Sequence, residues 1–154
     1  MRRVAGVVAL LLAVPTTAAP PSHDRAFWTG LAAKEFAVPE GETAGGLALE
    51  AADLLSSPDP ALRDGIAFEA LARWIYRDGL VAAPDLELLR RKLQDGLKAG
   101  LGEAGRDSAY GRTFSALGLS ILAAADLKAP WMTPAAFDAL LAASTAYLGA
   151  EKDL

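Results

Sequence analysis

No cysteine occurs anywhere in the 154 residues, and histidine occurs once, at position 23. The first absence excludes disulfides, thiolate metal sites, thiol nucleophiles and a lipidated amino-terminal cysteine together. The second removes the usual zinc ligand sets and leaves a Ser-His-Asp triad only His23 to draw on. The regularly spaced carboxylates of a calcium loop are missing too. No catalytic set, metal or cofactor is expected. No segment alternates apolar and polar residues with a period of two, so strands are not expected either. Basic side chains number 15 against 19 acidic ones, a balance that argues against sequence-independent nucleic-acid binding.

The one uninterrupted apolar run is amino-terminal. Arg2 and Arg3 precede Val4 to Val14, Pro15 closes the run, and Thr16-Thr17-Ala18-Ala19 supplies small residues before Pro20-Pro21. These are the three regions of a secretory signal peptide. Eleven helical residues reach about 16 Å, against a hydrocarbon core of about 30 Å, so the run is too short to anchor the chain as a span. Residues 1–19 are expected to be a cleaved signal peptide, residues 20–38 a flank and first helix, and residues 39–154 one helical domain. The product is expected to be periplasmic or secreted, with no stable membrane span. Without disulfides, its stability must come from packing.

Apolar residues recur with a helical period throughout. Ser22 or Asp24 can cap a helix carrying Phe27, Trp28, Leu31 and Phe36, broken at Val38-Pro39-Glu40-Gly41. A second runs from about Glu42 to Leu55, its first turns weakened by Gly45-Gly46. A third opens with Asp59 as cap and Pro60 behind it, and carries Leu62, Ile66, Ala67, Ala70, Leu71, Trp74 and Ile75. Pro84-Asp85 opens a fourth, with Leu86, Leu89, Leu93 and Leu97 inward and Arg90-Arg91-Lys92 as a solvated face. A fifth starts near Ser108 with Phe114, Leu117, Ile121 and Leu122. A sixth starts at Thr133-Pro134 and carries Phe137, Leu140, Leu141, Tyr147 and Leu148. The expected class is all-α: stacked antiparallel helix pairs, as a HEAT-like α-solenoid or a compact helical bundle.

Ser57-Pro58-Asp59-Pro60-Ala61-Leu62-Arg63-Asp64 and Leu71-Ala72-Arg73-Trp74-Ile75 resemble a bacterial family known as domain of unknown function 2785. So do Gly100-Leu101-Gly102-Glu103, Asp107-Ser108, Arg112-Thr113-Phe114-Ser115-Ala116-Leu117 and Glu151-Lys152-Asp153-Leu154. The resemblance runs from about Pro39 to Leu154, departing from the family at Tyr110 and Gly111. It implies no established activity. It also implies a longer domain, because members continue into a segment bearing Arg-Gly-Tyr, Gly-Trp and two histidines. The chain is therefore expected to lack that segment and to leave the sixth helix partly uncovered.

Two groups of polar residues stand out as binding candidates. The glycine-rich loop Gly100–Gly105 precedes a helix start, where backbone N–H groups favour anions, and Arg106 and Arg112 could add charge. It lacks the Gly-Lys-Ser/Thr ending of a P-loop and follows a helix, so an ordinary connection capped by Asp107 or Ser108 competes with that reading. Asp59, Arg63, Asp64, Arg73 and Asp107 could form a polar ladder across stacked helices, where such residues either bridge units or contact a ligand. The candidate binding residues are Arg63, Asp64, Arg73, Glu103, Asp107 and Arg112. Trp74, Trp131, Phe114 and Tyr147 fall on apolar stripes and are expected in the core. Two functional classes follow. One is a non-enzymatic binding or scaffold module of the cell envelope, with a protein or envelope component as partner. The other is a carboxylate-based hydrolase or lyase whose site is completed by the missing segment.

Overall fold

The computed structural model describes residues 23–102 and 108–151. Among these residues there are helices and no strands. Helix α1 spans Arg25–Ala33, and its amino end is capped by Asp24, whose carboxylate accepts the Phe27 N–H at 2.8 Å. It ends earlier than the apolar pattern predicts. Phe36 N–H reaches the Leu31 carbonyl at 2.9 Å and Glu35 N–H the Ala32 carbonyl at 3.0 Å, the paired bonds of a Schellman turn. Glu35 and Phe36 both take positive φ, 52° and 60°, in a turn that usually employs glycine. Phe36 therefore lies outside the helix it was expected to extend.

Helix α2 spans Ala44–Leu54 and is capped by the Thr43 hydroxyl. Helix α3 covers residues 60–77, with Asp59 capping the Ala61 N–H at 2.9 Å and Pro60 in the first turn. Within α3, the stretches Arg63–Phe68 and Ala72–Arg77 are wound wide, with i→i+5 bonding. Its stripe is still the expected one: Ala67, Ala70, Leu71 and Trp74 are fully buried. Helix α4 spans Ala83–Gly96, α5 Ser108–Lys128 and α6 Pro134–Ala150. Thr133 caps α6 through the Ala136 N–H. The α5–α6 turn is pinned by Asp126, whose carboxylate accepts the N–H groups of Trp131 and Met132 at 2.8 and 2.7 Å.

Contacts between helices sort them into two layers, α1, α3 and α5 in one and α2, α4 and α6 in the other. Directions follow from individual pairs. Arg63 lies against Tyr110 and Lys128 bonds the Tyr76 carbonyl, so α3 and α5 run the same way. Gly45 faces Asp85 while Asp53 pairs with Lys92, so α2 and α4 do too. Gly96 faces Ser115 and Gly118 faces Leu93, so α4 and α5 are antiparallel. The result is a compact two-layer stack in which α5 and α6 form the last pair.

Arg90 corrects the sequence reading of α4. It is buried, since position 90 falls on the stripe of Leu86, Leu89 and Leu93. Its guanidinium is held by Glu87, Nε to Oε2 and Nη2 to Oε1 both at 2.7 Å, and by Gln94. Those bonds pull the Glu87 carboxyl down to about 2. Only Arg91 and Lys92 face outward. Gly45 is the other surprise: a Cβ there would stand 2.0 Å from Asp85 Oδ2 and 2.8 Å from Asp85 Cβ. Alanine would raise helix propensity by about 1 kcal/mol, yet forcing α2 away from α4 costs about 1–3 kcal/mol. Gly45→Ala is therefore expected to lower the melting temperature, a result opposite to the propensity ranking.

Candidate functional site

The six candidate residues do not converge. Arg63 is buried with its guanidinium 4.2 Å from the Tyr110 ring centre and 5.1 Å from that of Phe114. Its Nη1 donates to the Ser57 carbonyl at 3.0 Å, and its Nε pairs with Asp64 at 2.6 Å. This side chain ties the entry of α3 to α5. Arg73 lies about 15 Å further along α3, at ten residues and 1.5 Å each, where its Nε bonds Asp78 at 2.8 Å and closes the helix.

Arg112 is on the opposite side of α5 from Arg63, because residues 110 and 114 share one face and 112 lies about half a turn away. It is fully buried. Nε and Nη2 grip the equally buried Glu151 at 2.5 and 3.1 Å, while Nη1 donates to the carbonyls of Ala99 and Gly100 at 3.0 and 2.8 Å. The guanidinium thus fastens the end of α6 and the chain after α4 to the start of α5. Of the six candidates, Arg63 and Asp64 are together, Arg73 and Arg112 are apart, and Glu103 and Asp107 lie outside the described residues; Asp59, the remaining member of the expected ladder, pairs with Arg25. So does most of the glycine-rich loop.

His23, in the flank ahead of the first helix, is fastened to α2. Its Nδ1 lies 2.9 Å from Glu50 and its Nε2 3.3 Å from Glu42, while its backbone N–H donates to Glu50. The ring stacks on Phe27 with centroids 3.7 Å apart. The Glu50 hydrogen bond is the main reason its pKa is raised above 6.5. The two carboxylates sit at opposite ring nitrogens and cannot share one metal with the imidazole. Among the described residues no group of three or more His, Asp or Glu is placed to hold a metal ion. No local signal announces this cluster, since 27 residues separate His23 from Glu50.

A raised histidine pKa has a definite consequence for stability. The imidazolium contributes fully below the unfolded value near 6.5 and loses its contribution as pH rises through the folded value. Melting temperature should therefore fall as pH rises above about 6.5, and His23→Gln should flatten that slope. Nuclear magnetic resonance titration of the His23 ring should place its midpoint above 6.5. A midpoint at or below 6.5 would mean the clasp is open in solution.

The remaining feature is apolar. Between α5 and α6 lies a groove of about 270 Å³, lined by Ala116, Leu119, Ala123, Leu140, Tyr147 and Leu148 together with Ser120 and Ser144. Across residues 113–125 of α5 and 134–150 of α6 the only charged side chain is Asp138. Such an all-round apolar helix is normally enclosed. Here Leu140 and Tyr147 are buried, while Leu117, Leu141 and Leu148 remain exposed. A second cleft, of about 220 Å³ between α2, α4 and α5, carries the Asp53–Lys92 ion pair at 2.6 Å.

Residues 97–154 match the family model described as Protein of unknown function (DUF2785). The similarity is to DUF2785. The expected resemblance is borne out over this segment, which takes in α5, α6, the Arg112–Glu151 pair and the apolar groove. The DUF2785 match leaves Ser57–Asp64 and Leu71–Ile75 outside its bounds. No curated protein and no solved structure matches the chain. No described helix is long and apolar enough to cross a membrane.

Proposed function

We propose that this chain is an exported helical module of the cell envelope that binds a partner through the α5–α6 face. The observation that carries the reading is the groove itself: an apolar, nearly uncharged surface at one end of the helix stack. Contiguous apolar patches larger than a few hundred Å² are uncommon on soluble monomers and mark interaction sites. The arginines that a ligand-binding reading would have used point the same way. Arg63, Arg73 and Arg112 are each engaged with internal carboxylates or carbonyls. Stacked helix pairs of the repeat kind present such end and side surfaces to proteins.

A photo-crosslinking residue placed at position 148, in cells that make the protein, tests the reading. A discrete adduct with a protein or envelope component is expected, lost when the probe moves to position 88 on the outer side of α4. The envelope fraction should yield a mature chain beginning at Ala19 or Pro20. No adduct from position 148, or hydrolase or lyase turnover abolished by His23→Ala, would overturn the binding role. Recovery of intact Met1 would overturn export.

A further inference from the structure

The geometry points to the cleft between α2, α4 and α5 as a binding site for a free α-amino acid with a short, uncharged polar side chain, of the kind glutamine or threonine carries. Ala52, Leu55, Leu93 and Ala99 give the cleft apolar walls, and the Asp53–Lys92 pair stands at its mouth. The observation that marks a ligand is Ser115, which lines the cleft from α5 and is only 6% exposed. Thr29, Ser120 and Thr145 turn their hydroxyls back onto carbonyls of their own helices. The Ser115 hydroxyl makes no hydrogen bond to any described residue. Its Oγ occupies the place that a Cβ at position 96 would take, so Gly96 offers no side chain to cover it. A hydroxyl this far from bulk water is unfavourable without a partner, and a bound group that hydrogen-bonds to it removes the penalty.

Size and charge narrow the ligand. Sites for drug-sized molecules measure about 300–1,000 Å³, and the cleft, at about 220 Å³, suits something smaller. The Asp53 and Lys92 side chains are 67% and 38% exposed, and an ion pair so open to water is held weakly. A zwitterion exchanges it for two pairs, its ammonium on Asp53 and its carboxylate on Lys92, and leaves no charge unmatched. A simple anion or cation would strand one of the two side chains. Lys92 and Gly96 stand four residues apart, about 6 Å along α4, and Ser115 lies against Gly96. A side chain of two methylenes and an amide covers that distance, its methylenes against Leu93 and its polar end at the Ser115 hydroxyl. An aliphatic side chain of the same length fills the space and leaves the hydroxyl unmet, so the site separates the two.

Isothermal titration of the chain, as its host produces it, with L-glutamine tests this. A Kd of about 0.1 mM is expected for so small a ligand. Norvaline, which keeps the carbon skeleton and lacks the amide oxygen and nitrogen, should bind at least about tenfold more weakly. Ser115→Ala should weaken glutamine binding at least about tenfold and leave the melting temperature of the free protein unchanged or raised, because no protein group bonds that hydroxyl. Lys92→Gln, at the open mouth, should weaken binding by about the same factor with the melting curve kept, so the test does not hang on how Ser115→Ala folds. Binding of neither glutamine, threonine nor asparagine at about 10 mM would overturn the inference. So would norvaline binding as tightly as glutamine, or a Ser115→Ala chain that melts earlier and binds as before. The cleft shares no lining residue with the α5–α6 groove. Adducts from position 148 should therefore form in Ser115→Ala and Lys92→Gln as in wild type, and the two sites stand or fall separately.

Discussion

Trp74→Ala is expected to remove about 3–5 kcal/mol of stability, the usual result of truncating a fully buried tryptophan. The indole sits in the second wide turn of α3 and does two jobs. It fills the space between the layers, and its Nε1–H donates to the Phe36 carbonyl at 2.8 Å, with the Phe36 ring edge-on at 6.4 Å. That bond secures a turn in which a bulky residue holds a positive φ, a conformation costing about 1–3 kcal/mol on its own. Removing the indole opens a cavity and frees the strained turn together. Domains have about 5–15 kcal/mol in all, so little of the variant should remain folded near physiological temperature. Trp74→Phe keeps most of the volume and forfeits the hydrogen bond, and should lose about 1–3 kcal/mol. Urea unfolding of both variants decides the point. A midpoint unmoved by Trp74→Ala would mean the interior is not organised around this side chain.

Glu151→Ala should be nearly as damaging. It leaves the Arg112 guanidinium buried without its bidentate carboxylate, and breaking one side of a buried pair costs about 3–5 kcal/mol. The consequence is local before it is global. Glu151 directly follows α6, so losing the pair releases the carboxyl end of that helix from α5 and from the Ala99–Gly100 carbonyls. Hydrogen exchange should accelerate first in α6, and any association through the α5–α6 face should weaken with it. Replacing both partners, as Arg112→Met with Glu151→Leu, should recover part of the loss, since no lone charge then remains inside. Equal exchange rates in wild type and Glu151→Ala would show that Leu140 and Tyr147 hold α6 without help.

The class of this fold and most of its punctuation can be read from the order of residues alone. Asp24, Asp59 and Thr133 cap the helices that follow them, Pro60 and Pro134 stand in first turns, and the buried stripe of α3 is the one its periodicity predicts, whereas the Thr43 cap sets α2 two residues later than the expected start at Glu42. Caps, proline and amphipathic spacing act within one or two helical turns, so their physics is written locally. Tertiary structure decided what depends on distant partners. Arg90 reads as solvated among three basic neighbours until Glu87 and the packed α4 stripe take it in. Gly45 reads as a weak helix former until Asp85 occupies the place of its side chain. His23 meets its carboxylate across 27 residues and Arg112 across 39, separations at which no spacing rule operates. The wide turns of α3 carry Arg63, which lies against Tyr110, and Trp74, which bonds the Phe36 carbonyl, both partners distant in sequence. Residue type set what each side chain could do, and packing of the two layers chose which partner it found.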